Sequence, residues 1–300
     1  MPTCTFDGTS ARSWHTCAGD SSLDNKYWLS ETADAPDGSA YERVLDPPVM
    51  KQDVTYWLNQ VIYDRRLFVV KNDEKGSSVR WRFAAINTAV EATTLRGRSH
   101  ELVDGLLPQD ELIRDSISQR DILIVSVGAN DVVESVVRAL GNPLSQDNLL
   151  SLFGSEVQKY IEKLVIRTKP ARILVCMIYF PDEARTFGWA NAALEFLDYN
   201  SRPQVLQDLI RTIYSQSTSN IQIDGSDVVP IPLFQVLDGK TSDDYAERVE
   251  PSASGGQKIA NYLMVSAYVQ RCELLLVLSL PFLQDVIETT PLGDALTDEI

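Results

Sequence analysis

Cysteine is scarce in this chain: Cys4, Cys17, Cys176 and Cys272 are scattered through 300 residues, and no two stand at CxxC spacing. That scatter excludes a disulfide framework and a cysteine zinc site. Histidine is scarcer still, with only His15 and His100, and no His/Asp cluster shows metal-ligand spacing. No metal and no cofactor are expected, since the GxGxxG and Walker A loops that cradle phosphates are also missing. Basic residues are in deficit, 27 Lys and Arg against 42 Asp and Glu, for a formal net charge of −15. Phosphate binding needs clustered cations, so a nucleic-acid partner and an anionic membrane surface are both disfavoured. Leu274 to Leu283 is apolar, but it holds ten residues including Pro281, where a membrane span needs ~20. No basic n-region with an apolar stretch opens the chain, and no Asn-x-Ser/Thr acceptor occurs in it. These absences predict the reducing cytoplasm.

What is present is a hydrophobic fraction of 44%, enough for a substantial core. Apolar runs near Trp14–Cys17, Phe83–Thr88, Ile122–Val127, Ile173–Tyr179 and Ile221–Val229 read as strands. Ile122–Val127 is nearly continuous in its apolar character, as in a strand buried on both faces of a parallel sheet. Between the runs lie helical patterns, among them Val54, Trp57, Leu58, Val61 and Ile62 on one face. Alternation of this kind predicts an α/β fold: a three-layer α/β/α sandwich around a mainly parallel five-stranded sheet. One domain is expected over residues 1–270, with 271–300 as a C-terminal extension, helical and then loose. An exposed apolar tail there would make a homodimer contact.

The strand ends carry the chemistry. Ala18 to Asn25 is a small-residue turn in which Gly19 permits a sharp reversal and Ser21 projects a hydroxyl at the carboxyl end of its strand. A helix start after Ser21 would leave amide donors for an anion. The plainer alternative is a common surface turn. Glu91-Ala92-Thr93-Thr94 forms a second turn and Gly128-Ala129-Asn130-Asp131 a third. For Asn130 the competing role is a helix N-cap. A fourth segment, Val249 to Gly256, precedes the closing helix.

In order and content these segments resemble the SGNH (GDSL-type) hydrolases over roughly Trp14 to Ala260. The resemblance implies a flavodoxin-like sandwich, with Ser21 as nucleophile and Gly128, Asn130 and Asp131 matching the Gly-x-Asn-Asp block. It sets Ala92 where a glycine would lend its amide, so Ser21, Ala92 and Asn130 would form the oxyanion hole, with Asp20 and Gly128 in support. Alanine is unstrained at that place if its φ is negative. The departure lies in the last block, where the family has Asp-x-x-His-Pro and this chain has Glu247-Arg248-Val249-Glu250-Pro251. Glu250 replaces the base and Glu247 its orienter. A carboxylate of pKa ~4.3 is a poor base for a serine hydroxyl unless burial raises it. His100 could substitute as base, whereas His15 belongs in the sheet packing. Asp20 and Asp24 flank Ser21, but an Asp in a turn usually bonds its own backbone.

Two functions follow: a serine hydrolase acting on an ester or acetyl group of a small-molecule substrate, weakened by its missing histidine, or an inactive member of the fold kept as a binding or interaction module. The loops Asn25–Tyr41 and Pro181–Asn200 would shape the pocket.

Overall fold

The computed structural model describes residues 12–268 apart from 38, 65–67, 73–77, 102–104, 139–144 and 187. One six-stranded sheet runs through them: β1 Arg12–Gly19, β2 Phe68–Asn72, β3 Ser78–Asn87, β4 Ile122–Ser126, β5 Arg172–Met177 and β6 Asp227–Pro232. Their spatial order is β2-β3-β1-β4-β5-β6. All neighbours pair in parallel except β2, which runs antiparallel on the edge of β3. The parallel strands thus follow the flavodoxin-like order, in which connections leave in opposite directions from the first and third of them. Here those two are β1 and β4, and the crevice between their carboxyl ends is the natural ligand site of such a sheet.

The α-helices of six residues or more are α1 Val54–Asp64, α2 Leu95–Glu101, α3 Pro108–Ser116, α4 Ala129–Arg138, α5 Gln146–Ser151, α6 Val157–Leu164, α7 Asn191–Phe196, α8 Pro203–Gln216 and α9 Ala253–Tyr268. β4 shows how the layers form. Its period of two sends Ile122 and Ile124 to one face, with Leu58 and Val61 of α1 and Ile259 and Leu263 of α9. Leu123 and Val125 go to the other, with Phe153, Ile161 of α6 and Ile210 of α8. Cys17 and Cys176 are buried as small hydrophobes. None of the helices among the described residues is long and apolar enough to cross a membrane.

Two sequence expectations change. The last parallel strand starts at Asp227, not Ile221; Ile221 and Ile223 are buried beside it in a loop. That strand contains Pro230 and Pro232, which an edge strand tolerates because it needs no amide on its outer side. α3 begins at Pro108, where proline's missing amide costs nothing at a first helical position. Residues 152–156 are a π turn joining α5 to α6. No helix follows Ser21: a single tight turn does, closed by Leu23 N and Asp24 N donating to the Asp20 carbonyl at 3.1 and 3.0 Å. The proposed 271–300 extension and its dimer contact lie outside the described residues.

Candidate active site

Ser21 stands one turn beyond the end of β1. Gly19 passes so close to β4 that a Cβ would sit 2.1 Å from the Ser126 carbonyl oxygen, so no other residue fits there. Asp20 then folds back on the turn, its Oδ1 accepting the Ser22 amide at 3.1 Å and the Ser22 hydroxyl at 2.8 Å. That is the local bonding an Asp in a turn favours. Its other oxygen is buried without a partner, and burial pushes the carboxyl up to about 6.

The Ser21 hydroxyl donates to Glu250 Oε1 at 3.2 Å. Glu250 arrives from a distant part of the chain, on a two-stranded antiparallel ladder of Tyr245–Glu247 with Glu250–Pro251. Side chains hold that ladder from several sides. The Tyr179 hydroxyl donates to the Val249 carbonyl at 2.6 Å, and Asn25 Nδ2 donates to the Pro251 carbonyl. Buried Arg248 reaches back with Nη2 to the Asp182 carbonyl at 3.0 Å and with Nη1 to Asn191 Oδ1 at 3.2 Å. Glu250 is only 2% exposed, and desolvation raises its carboxyl from 4.5 to about 8. The Ser21 hydroxyl and Trp189 indole pull the value down, and nearby Asp20 and Glu91 push it up. Trp189 acts without closing a well-formed bond to Oε2, which stays unpartnered.

The side chain of Glu247, the expected orienter, makes no hydrogen bond to the Glu250 carboxyl. Its Oε2 is buried without a partner and lies 2.7 Å from where a Gly188 Cβ would stand.

On the other side, Gly128 ends β4 with φ +108, and a Cβ would meet the Phe153 ring at 2.8 Å. This brings Asn130 and Asp131 onto the first turn of α4. Asn130 Nδ2 donates to the Thr93 carbonyl at 3.0 Å, while Asp131 accepts the Leu95 and Arg96 amides at 2.7 and 2.9 Å. Asp131 therefore caps α2, and burial raises its carboxyl above the usual range. The backbone amides of Ser21 and Ala92 make no hydrogen bond among the described residues.

Ala92 departs from the sequence expectation. Its φ is +58, in the left-handed region, where a side chain costs ~1–2 kcal/mol. The position where the sequence resemblance expects a glycine thus has a glycine's backbone under an alanine. Ala92→Gly is expected to stabilise the fold by about 1 kcal/mol, part of the strain relief being offset by a more flexible unfolded chain. A shift of the urea midpoint at constant slope measures it; a lower midpoint would contradict the strain.

Sequence reasoning missed Arg98. It is buried, with Nη1 on both Asp110 oxygens at 3.2 and 3.1 Å and on the Tyr160 hydroxyl at 2.5 Å. Its Nη2 donates to the Gly19 carbonyl and to Thr93 Oγ1, both at 2.8 Å. One guanidinium thus fastens the serine turn to the Ala92 turn from behind. In the sequence Arg98 stands between other polar residues, Arg96-Gly97 and Ser99-His100, and carries no signal of this.

His15 is fully buried in β1, its Nε2 at 2.9 Å from the Tyr268 hydroxyl, and burial lowers it to about 4. His100 belongs to α2, and its side chain lies outside the described residues. Asp24 pairs with Lys26 at 2.5 Å and accepts from Asn87 at 3.3 Å, away from Ser21 Oγ.

Ser21, Asn130 and Glu250 open together onto a cavity of about 80 Å³. Its walls come from α4, α7 and α8 and from the Tyr179–Pro181 segment.

No protein-family model matches the chain, and no curated protein does. Among solved structures, a metagenomic α/β hydrolase enzyme from Lake Arreo, LAE5, is 14% identical over 86% of this chain and 95% of its own, with a TM-score of 0.46. The acetylxylan esterase Axe2 of Geobacillus stearothermophilus is 12% identical over 87% and 96%, with a TM-score of 0.47. An extracellular lipase of Streptomyces rimosus is 9% identical over 85% and 99%, with a TM-score of 0.44. At such identities the likeness says nothing of this chain's substrate.

Proposed function

We propose that this chain is a serine hydrolase of the SGNH type that cleaves a carboxylic ester, with Ser21 as nucleophile and Glu250 as the base in place of histidine. The observation that carries the reading is the Ser21–Glu250 hydrogen bond of 3.2 Å in a pocket shared with Asn130. Burial changes the objection to a glutamate. At about 8, its carboxyl is matched to proton transfer near neutral pH, and roughly a tenth is ionised at pH 7. A carboxylate also has no tautomer to select, so the lack of a side-chain bond to Glu247 removes nothing this base needs.

In this reading Ser21 Oγ attacks the ester carbonyl as its proton passes to Glu250 Oε1. The oxyanion that forms meets the Ser21 and Ala92 amides and Asn130 Nδ2, each donor lowering its energy by ~2.7–4 kcal/mol. Collapse expels the alcohol, which takes the proton from Glu250, leaving an acyl-Ser21 ester. Water, deprotonated by Glu250, then releases the acid and restores the serine.

Labelling by a fluorophosphonate probe tests this directly. Ser21 should react, at a rate rising with pH through about 8 as Glu250 ionises. An unlabelled Ser21 at pH 9 would favour the binding-module reading instead.

A further inference from the structure

The cavity beside Ser21 has two characters. Its polar side chains, Asp20, Ser22, Asn130 and Glu250, gather around the serine. Beyond them the walls are hydrocarbon: Val133 and Val136 on α4, Ala193 and Leu194 on α7, Leu206 and Ile210 on α8. Val136, Ala193, Leu194 and Ile210 are all buried, so this end is lined by core-like surface rather than by a wet groove. A sugar ring or other polyol placed there would lose its water without finding hydrogen-bond partners. A hydrocarbon chain loses nothing.

We infer that this slot holds the acyl chain of the substrate, a short unbranched aliphatic acyl group longer than acetyl. The assignment rests on the hydrolase reading above and specifies its substrate class. The cavity limits the length: at ~30 Å³ for each water-sized group, about 80 Å³ admits only a few methylene-sized groups beyond the carbonyl. Continuity with Ser21 fixes the direction, since the carbonyl carbon must lie at Oγ and the chain must run from it into the space between α4, α7 and α8. Ala193 lines the slot, and a larger side chain there would fill part of it.

The experiment has two arms. In the first, kcat/KM is measured on p-nitrophenyl acetate, hexanoate and decanoate for the wild type, Ala193→Phe and Val133→Phe, with folding checked by circular dichroism. A buried methylene is worth about fourfold, so hexanoate should exceed acetate by at least tenfold and decanoate should fall back. Either filled variant should lower the hexanoate-to-acetate ratio at least tenfold; Val133 is only half-buried and guards against a misfolded Ala193→Phe. In the second arm, hexanoic and acetic acids are titrated into Ser21→Ala at pH 6, where Glu250 is protonated. Hexanoic acid should bind at least tenfold more tightly. Equal binding of the two acids, or folded variants that both keep the wild-type ratio, would overturn the assignment while leaving ester hydrolysis intact. Preferential hexanoic acid binding with no turnover of any ester would uphold the acyl slot and remove the catalytic reading.

Discussion

Ser21→Ala should abolish ester hydrolysis, and Asn130→Ala should lower kcat by ~10²–10³ with little change in KM. The two substitutions remove different things. On the proposed reading Ser21 Oγ is the atom that forms the bond, so nothing in the pocket could stand in for it. Asn130 Nδ2 spends one hydrogen on the Thr93 carbonyl and keeps a second for charge that exists only in the transition state. Its loss should therefore appear in kcat first. The check is steady-state kinetics on p-nitrophenyl hexanoate with both variants purified to the same folded state. Wild-type turnover in Ser21→Ala would end the nucleophile assignment.

The second large effect belongs to Glu250. Glu250→Gln keeps the shape and a neutral amide but cannot take a proton, so kcat/KM should fall by ~10²–10⁴. In the wild type kcat/KM should climb about tenfold per pH unit and level off above about 8, and the variant should lose that limb. Stability moves the other way. The folded carboxyl titrates at about 8 and the ordinary one at 4.5, so the folded state favours the protonated form. Its contribution is full below 4.5 and is lost as pH rises through 8. Glu250→Gln does not titrate, so its stability relative to wild type should grow by up to about 3 kcal/mol between pH 5 and 8, read from urea midpoints. A pH-independent difference would show that Glu250 is ionised in the folded protein throughout. Such a result would return it to the role of a passive acceptor.

The parts legible in sequence were those governed by short-range pattern. β4 announced itself because a strand covered on both faces must be apolar throughout. The turns after β1 and β4 were legible because close backbone approach at Gly19 and positive φ at Gly128 restrict the residues that fit. β6 was misplaced because Ile221 and Ile223, buried in the loop before it, carry the same apolar signal as Val228 and Val229 within it. The single helical turn and a half of α7 lay unseen in the Pro181–Asn200 stretch, and with it the hydrocarbon wall of the cavity. The φ of Ala92 and the burial of Glu250 are set by neighbours far along the chain, so composition and spacing could not carry them. Arg98 was hidden for the same reason: its partners Asp110, Tyr160 and Gly19 meet only after folding.

The bonds from Asn130 to Thr93 and from Asp131 to Leu95 and Arg96 tie two segments that chain order keeps apart. The turn bearing Ala92 and the start of α4 therefore form one mechanical part, and a change in either is felt by both. In an evolving lineage, substitutions at 92–96 would be tolerated or rejected according to what stands at 130 and 131. Grafting either segment alone onto another scaffold would carry over half of a joint.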